Sequence, residues 1–96
     1  MKSDDTRACA QELLVFLADY PKEGFKRRFL KFASSDDYSG STTGVAIDEL
    51  LRAGLVRETE SGRIKPQPAG VTLGKKLKRE WGSALRAKGI TPEWED

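Results

Sequence analysis

The chain contains no histidine and one cysteine, and each shortage removes a class of function. Without histidine there is no Ser-His or Cys-His nucleophile pair and no imidazole general base. A single thiol without imidazole leaves no plausible ligand set for structural zinc. Cys9 cannot form an internal disulfide, which fits a reducing cytoplasm. Neither GxxxxGK[ST] nor GxGxxG occurs, so no phosphate-cradling loop for a nucleotide cofactor is signalled. No apolar run approaches the ~18 residues of a transmembrane helix. The opening MKSDDTRACAQE lacks the basic start and greasy core of a signal peptide. The expectation is a cytoplasmic protein that is not an enzyme, has no cofactor or metal, and has no membrane partner.

What is present suits one modest core. The 96 residues are 38% hydrophobic and 33% charged, and they include four phenylalanines, enough to exclude a disordered segment. Residues 1–90 are expected to form one domain, with 91–96 as an acidic tail. The net charge of +2 hides a lopsided distribution. Residues 22–32 hold five basic residues and one acid, and 63–88 hold eight basic residues and one acid, while the rest of the chain has four against thirteen. Segregation of this kind builds a local field, and a polyanion is its usual partner. The plain alternative is that these cations only fill solvated helix faces.

Hydrophobic spacing predicts the elements. A first helix spans about Asp5–Tyr20, with Cys9, Ala10, Leu13, Leu14, Phe16 and Leu17 on its apolar face and Ser3, Asp4, Asp5 or Thr6 as N-cap. Pro21 ends it. A second helix is predicted over Lys22–Ala33, where Phe25, Phe29 and Phe32 recur at helical spacing as core anchors. Residues 34–41 (SSDDYSGS) read as a turn-rich loop. A third helix runs from Thr42 or Thr43 to Ala53, with Gly54 ending it in a left-handed conformation. Leu55–Thr59 and Arg63–Lys65 form a hairpin around Glu60-Ser61-Gly62, stopped by Pro66. A last helix follows over Thr72–Lys88. The fold class is mainly α with a small β-hairpin, in the order α-α-α-β-β-α.

The stretch Ile47-Asp48-Glu49-Leu50-Leu51-Arg52-Ala53-Gly54-Leu55-Val56-Arg57-Glu58, followed by Gly62-Arg63-Ile64, resembles the recognition helix and wing of winged helix-turn-helix domains of MarR-like and ArsR-like bacterial regulators. Val71-Thr72-Leu73-Gly74-Lys75-Lys76-Leu77 is similar to the start of the helix after the wing, with shifted spacing. The likeness covers about residues 40–77. It implies a DNA-binding transcriptional regulator of bacterial or phage type. The third helix would enter the major groove of double-stranded DNA, and the wing would rest on phosphates. Carried over position by position, the base-facing residues are Ser41, Thr42, Thr43, Val45 and Arg52. The phosphate-facing residues are Arg57, Arg63 and Lys65, then Lys26, Arg27 and Lys31. Lys75, Lys76, Lys78 and Arg79 join them if the last helix lies on the same side. A homodimer is expected, built on the first and last helices with Trp81 or Trp94 as an anchor.

Two features depart from that pattern. The link before the third helix is near eight residues, against the usual 3–4. The third helix also carries Asp48 and Glu49 and only one cation, Arg52. These acids fit a second possibility, a winged-helix module that binds protein and not DNA. RNA is a third, weakened by the absence of aromatic sheet motifs.

Overall fold

The computed structural model describes residues 4–89. The predicted acidic tail 91–96, with Trp94, lies outside them. The described chain is mainly helical with a small three-stranded antiparallel sheet, in the order α1 (Asp4–Asp19), β1 (Phe25–Lys26), α2 (Arg27–Ala33), α3 (Gly40–Arg52), β2 (Val56–Glu58), β3 (Arg63–Pro66) and α4 (Pro68–Ala87).

α1 follows its apolar periodicity. Cys9, Leu13, Leu14 and Leu17 are buried at positions one and two turns apart, and they form one wall of the core. The Cys9 thiol packs as a small hydrophobe. It donates a weak hydrogen bond to Thr43 Oγ1 (3.7 Å), and burial raises its pKa. The helix closes where the Tyr20 amide turns back to the Leu17 carbonyl (3.0 Å), just before Pro21.

The second predicted helix is shorter than its spacing suggested. Residues 20–24 are bend and turn, Phe25 and Lys26 form a strand, and only Arg27–Ala33 is helical. Pro21 and Gly24 are the reason. Gly24 adopts φ +74°, which a helix cannot accommodate, and a side chain there would lie 2.5 Å from Lys65 Cγ. Phe25 therefore leaves the helical stripe and pairs with Ile64 across the sheet. Leu30, which the phenylalanine stripe had overshadowed, is the buried residue of α2.

The link to α3 is also shorter than expected, at residues 34–39, and it is folded on itself. The Ser34 amide bonds the Leu30 carbonyl and the Tyr38 amide bonds the Ser34 carbonyl. Ser39 caps α3 by accepting from the Thr42 amide at 3.1 Å. Helix formation thus begins at Gly40, upstream of the Thr42 start that the apolar spacing indicated. Thr43, Ala46, Ile47 and Leu50 form the inward face of α3. Gly54 (φ +74°) turns the chain into β2.

β3 is the central strand, in the order β1-β3-β2. Its registers are Phe25↔Ile64 and Lys26↔Arg63 on one side, and Val56↔Pro66, Arg57↔Lys65 and Glu58↔Ile64 on the other. The sheet therefore has a third strand that the sequence pattern did not reveal. Ile64 and Val56 are buried and face the helices.

α4 starts four residues earlier than its apolar spacing suggested. Pro68 occupies the first turn, where a missing amide is harmless, and the Gln67 carbonyl accepts from the Val71 amide. Gly70 and Gly74 bring α4 against its neighbours. A methyl group at Gly70 would lie 1.9 Å from the Leu55 carbonyl oxygen. One at Gly74 would lie 2.6 Å from Ala18 Cβ and 2.8 Å from the Leu14 carbonyl oxygen. Leu73 and Leu77 pack on the edge of the core beside them.

These contacts decide the sign of three substitutions. Alanine gains about 1 kcal/mol over glycine in a helix, whereas overpacking costs about 1–3 kcal/mol or more. At Gly70 the obstacle is backbone, so Gly70→Ala is expected to lose at least ~2 kcal/mol net, and Gly74→Ala ~1 kcal/mol. At Gly44 the new methyl would meet only the flexible Lys31 chain, at 3.4 Å. Gly44→Ala is expected to stabilise by up to ~1 kcal/mol. Urea unfolding of the three variants checks the order, and an unchanged Gly70→Ala midpoint contradicts the close approach.

Candidate nucleic-acid interface

Two groups of the sequence-derived residues come together, and one does not join them. The first group lies on the sheet. Because side chains alternate along a strand, a buried Ile64 obliges Arg63 and Lys65 to face outward. Their cross-strand partners, Lys26 and Arg57, share that outer face. Four cations thus stand in two directly opposed like-charge pairs, an arrangement that destabilises a sheet.

Within this face the cations differ. Arg63 Nη1 donates to the Gly24 carbonyl at 3.2 Å, which fixes the guanidinium across the turn before β1. The Lys65 stem runs beside Gly24, where it would touch any side chain. Arg57 is exposed, and so is Lys26. Among the described residues, no carboxylate lies within ion-pair distance of Lys26, Arg57 or Lys65. The hairpin tip is stiffened by its own groups. The Thr59 amide donates to the Arg63 carbonyl (2.8 Å), the Gly62 amide donates to the Thr59 carbonyl (2.9 Å), and Thr59 Oγ1 accepts from the Arg63 amide (3.1 Å).

The second group lies on α3. Ser41, Val45, Asp48 and Arg52 are exposed at i, i+4, i+7 and i+11, a single stripe along the helix. Lys31 reaches across from α2, so that a methyl at Gly44 would lie 3.6 Å from its Nζ. That ammonium adds to the positive end of the α3 dipole. Thr42 sits beside the stripe, and its hydroxyl accepts from Ser39 Oγ at 2.9 Å, within the cap. Thr43 must be removed from the base-facing set. It is fully buried against Cys9, because it falls on the inward face with Ile47 and Leu50.

The acids of α3 are held internally. Arg27 Nη2 contacts Asp48 Oδ1 at 2.9 Å and its Nε donates to Glu58 Oε1 at 3.3 Å. One guanidinium thus ties the start of α2 to both α3 and β2. Partial burial of Arg27 opposes its charge, but its hydrogen bonds to Asp48 and Glu58 prevail and raise its pKa. Arg52 Nη1 donates to Glu49 Oε1 at 2.8 Å, one turn back on the same helix. Arg27 and Arg52 are therefore engaged cations and not free ones.

The cations of α4 stand apart. α4 packs mainly on α1, and α1 separates it from much of α3. Lys78 turns to Asp19 at the end of α1, with Nζ 3.1 Å from Oδ2. Lys75, Lys76 and Arg79 are exposed, and no interaction among the described residues links them to the sheet face or to the α3 stripe. Trp81 is half-buried on the same helix.

Sequence reasoning missed one feature beside the sheet. Phe29 and Phe32 are 44% and 77% exposed, not core anchors. With Phe25, Lys26, Arg28 and Arg63 they line an open groove of about 450 Å³. Two helix breakers within four residues, Pro21 and Gly24, were the available signal that Phe25 could not share a helical stripe with them.

No protein-family model matches this chain, and neither a curated protein nor a solved structure matches it.

Proposed function

We propose that the chain is a winged helix-turn-helix domain that binds double-stranded DNA as a transcriptional regulator. In this assignment β2 and β3 are the wing, and β1 completes its sheet beside α2. The exposed stripe of α3, Ser41, Val45, Asp48 and Arg52, meets the major groove with Asp48 paired to Arg27 and Arg52 paired to Glu49, and that groove is ~12 Å wide and admits a helix. Lys31 and the outer-face cations Lys26, Arg57 and Lys65 meet phosphates. The observation that carries the proposal is the two opposed like-charge pairs on the outer face of the sheet. Such pairs oppose folding, and a polyanion turns that repulsion into binding.

A protein-binding adaptor is the second possibility. It would use either the basic face of α4, where Lys75, Lys76 and Arg79 are exposed, or the acids of α3, and those acids are held by Arg27 and Arg52. The flank therefore shows a basic protein surface little free negative charge. Pairing of subunits would double the phosphate contacts and allow two half-sites to be read. No effector enters the proposal.

Titration of random-sequence duplex at two salt concentrations tests it. The logarithm of the affinity is expected to fall linearly with the logarithm of salt, by roughly 0.9 per neutralised phosphate. Joint replacement Arg57→Gln and Lys65→Gln is expected to reduce that slope by about 2 while leaving the fold equally or slightly more stable, since a repulsive pair is removed. Lower stability with unchanged slope would remove the sheet face from the mechanism. Absence of duplex affinity at low salt would refute DNA binding.

Arg27→Gln should behave differently. It exposes two carboxylates, so it is expected to weaken duplex binding without reducing the salt slope by a full phosphate. Its loss of stability should stay near 1 kcal/mol, as for partly exposed ion pairs, and should shrink in high salt. A slope change equal to that of a phosphate-contacting cation would show that Arg27 itself reaches the DNA.

A further inference from the structure

The groove beside β1 is lined by three phenylalanines and three cations, Lys26, Arg28 and Arg63, and contains no acid. Its apolar part is wholly aromatic. Phe25 and Phe29 stack with ring centroids 5.2 Å apart and planes at 20°. Phe25 in turn rests against Phe16 (5.1 Å) and Tyr20 (5.9 Å) from the end of α1. This chain of rings braces Phe29 from the core outward, so Phe29 is presented on a rigid support. Phe32, one turn further along α2, projects almost wholly into water. A large ring left in water contributes almost nothing to folding, since it is exposed in the unfolded chain as well.

The geometry points to a site for an unpaired stretch of nucleic acid. Bases would stack on Phe29 and Phe32, and the phosphates between them would meet Arg28, Lys26 and Arg63. Stacking on aromatic side chains within a cationic groove is how single strands are held without sequence preference. Two other occupants fit less well. A second copy docked symmetrically would set Lys26, Arg28 and Arg63 against their own copies. An extended peptide needs a free strand edge, and β1 is only two residues long. The groove is open and its apolar lining is aromatic, which suits a flat ring better than an aliphatic anchor.

The site shares its polyanion partner and Lys26 with the proposed duplex interface but adds Arg28, Phe29 and Phe32, which that interface does not use, so variants at Phe32 and at Arg57 with Lys65 separate the two. The test uses the whole chain with a fluorescent single-stranded oligothymidylate, and random duplex in parallel. The wild-type protein is expected to bind the single strand at low salt. Phe32→Ala is expected to weaken that binding roughly five- to hundredfold, and Phe32→Trp to keep it, while duplex affinity stays within about twofold. The Arg57→Gln and Lys65→Gln pair is expected to do the reverse. Phe32 is solvent-facing, so its loss should not unfold the chain, and a circular-dichroism melt confirms this. Unchanged single-strand affinity in Phe32→Ala overturns the proposal. So does a wild-type protein that ignores the single strand, whether or not it binds duplex. So does binding of vesicles rich in anionic lipid by the same two phenylalanines in the absence of single-strand binding.

Discussion

Ile64 sets the parity of the whole basic surface. It is the buried residue at the centre of the central strand, flanked by Phe25 on one side and Glu58 on the other. A strand has a period of two, so once Ile64 faces the helices, Arg63 and Lys65 must face water. Their partners Lys26 and Arg57 follow. A slip of one residue would bury two cations and expose the isoleucine, at a cost far above any surface interaction here. The concentration of charge on the outer face is therefore a consequence of core packing and needs no attraction among the charges themselves.

Repulsion on that face has to be outweighed elsewhere, and α4 contributes. Gly70 and Gly74 let its backbone settle onto α1 and onto the Leu55 carbonyl at the entry to the sheet. Side chains at those positions would push it away and open the edge where Leu73 and Leu77 cover the core. α4 so acts as a brace behind the sheet. Of its own cations, Lys78 is fastened to Asp19 at the end of α1, while Lys75, Lys76 and Arg79 are exposed.

The helices and the hairpin were legible where periodicity was undisturbed. The faces of α1 and α3 follow directly from apolar spacing, and Gly54 ends α3 as its conformational freedom suggests. Thr43 shows the limit of transferring positions from a resemblance. Its place next to Thr42 suggested a reading role, but a shift of one residue, about 100° around the helix, puts it against Cys9. β1 was illegible because a two-residue strand has no periodicity to detect. Its existence depends on β3, nearly forty residues later, offering a partner. By spacing alone the three phenylalanines share a helical stripe, and the left-handed Gly24 starts the chain as a strand at Phe25 instead. Ion pairing was likewise hidden. That Arg27 would clasp Asp48 and Glu58 depends on the tertiary approach of three elements.

Lys26 and Arg63 belong at once to the outer face of the sheet and to the rim of the aromatic groove. The two surfaces are therefore one continuous basic track that changes character along its length. At the Arg57 and Lys65 end it is purely cationic, and it can follow a phosphate backbone without regard to the bases. At the Phe29 and Phe32 end it adds ring faces, which matter only to bases free of their partners, since a paired base already has both of its faces stacked. Arg63 is held between them by the Gly24 carbonyl, so its guanidinium is positioned before any ligand arrives. A duplex with an unpaired end or bulge would satisfy both halves together, because shared cations place the two sites within one backbone's reach.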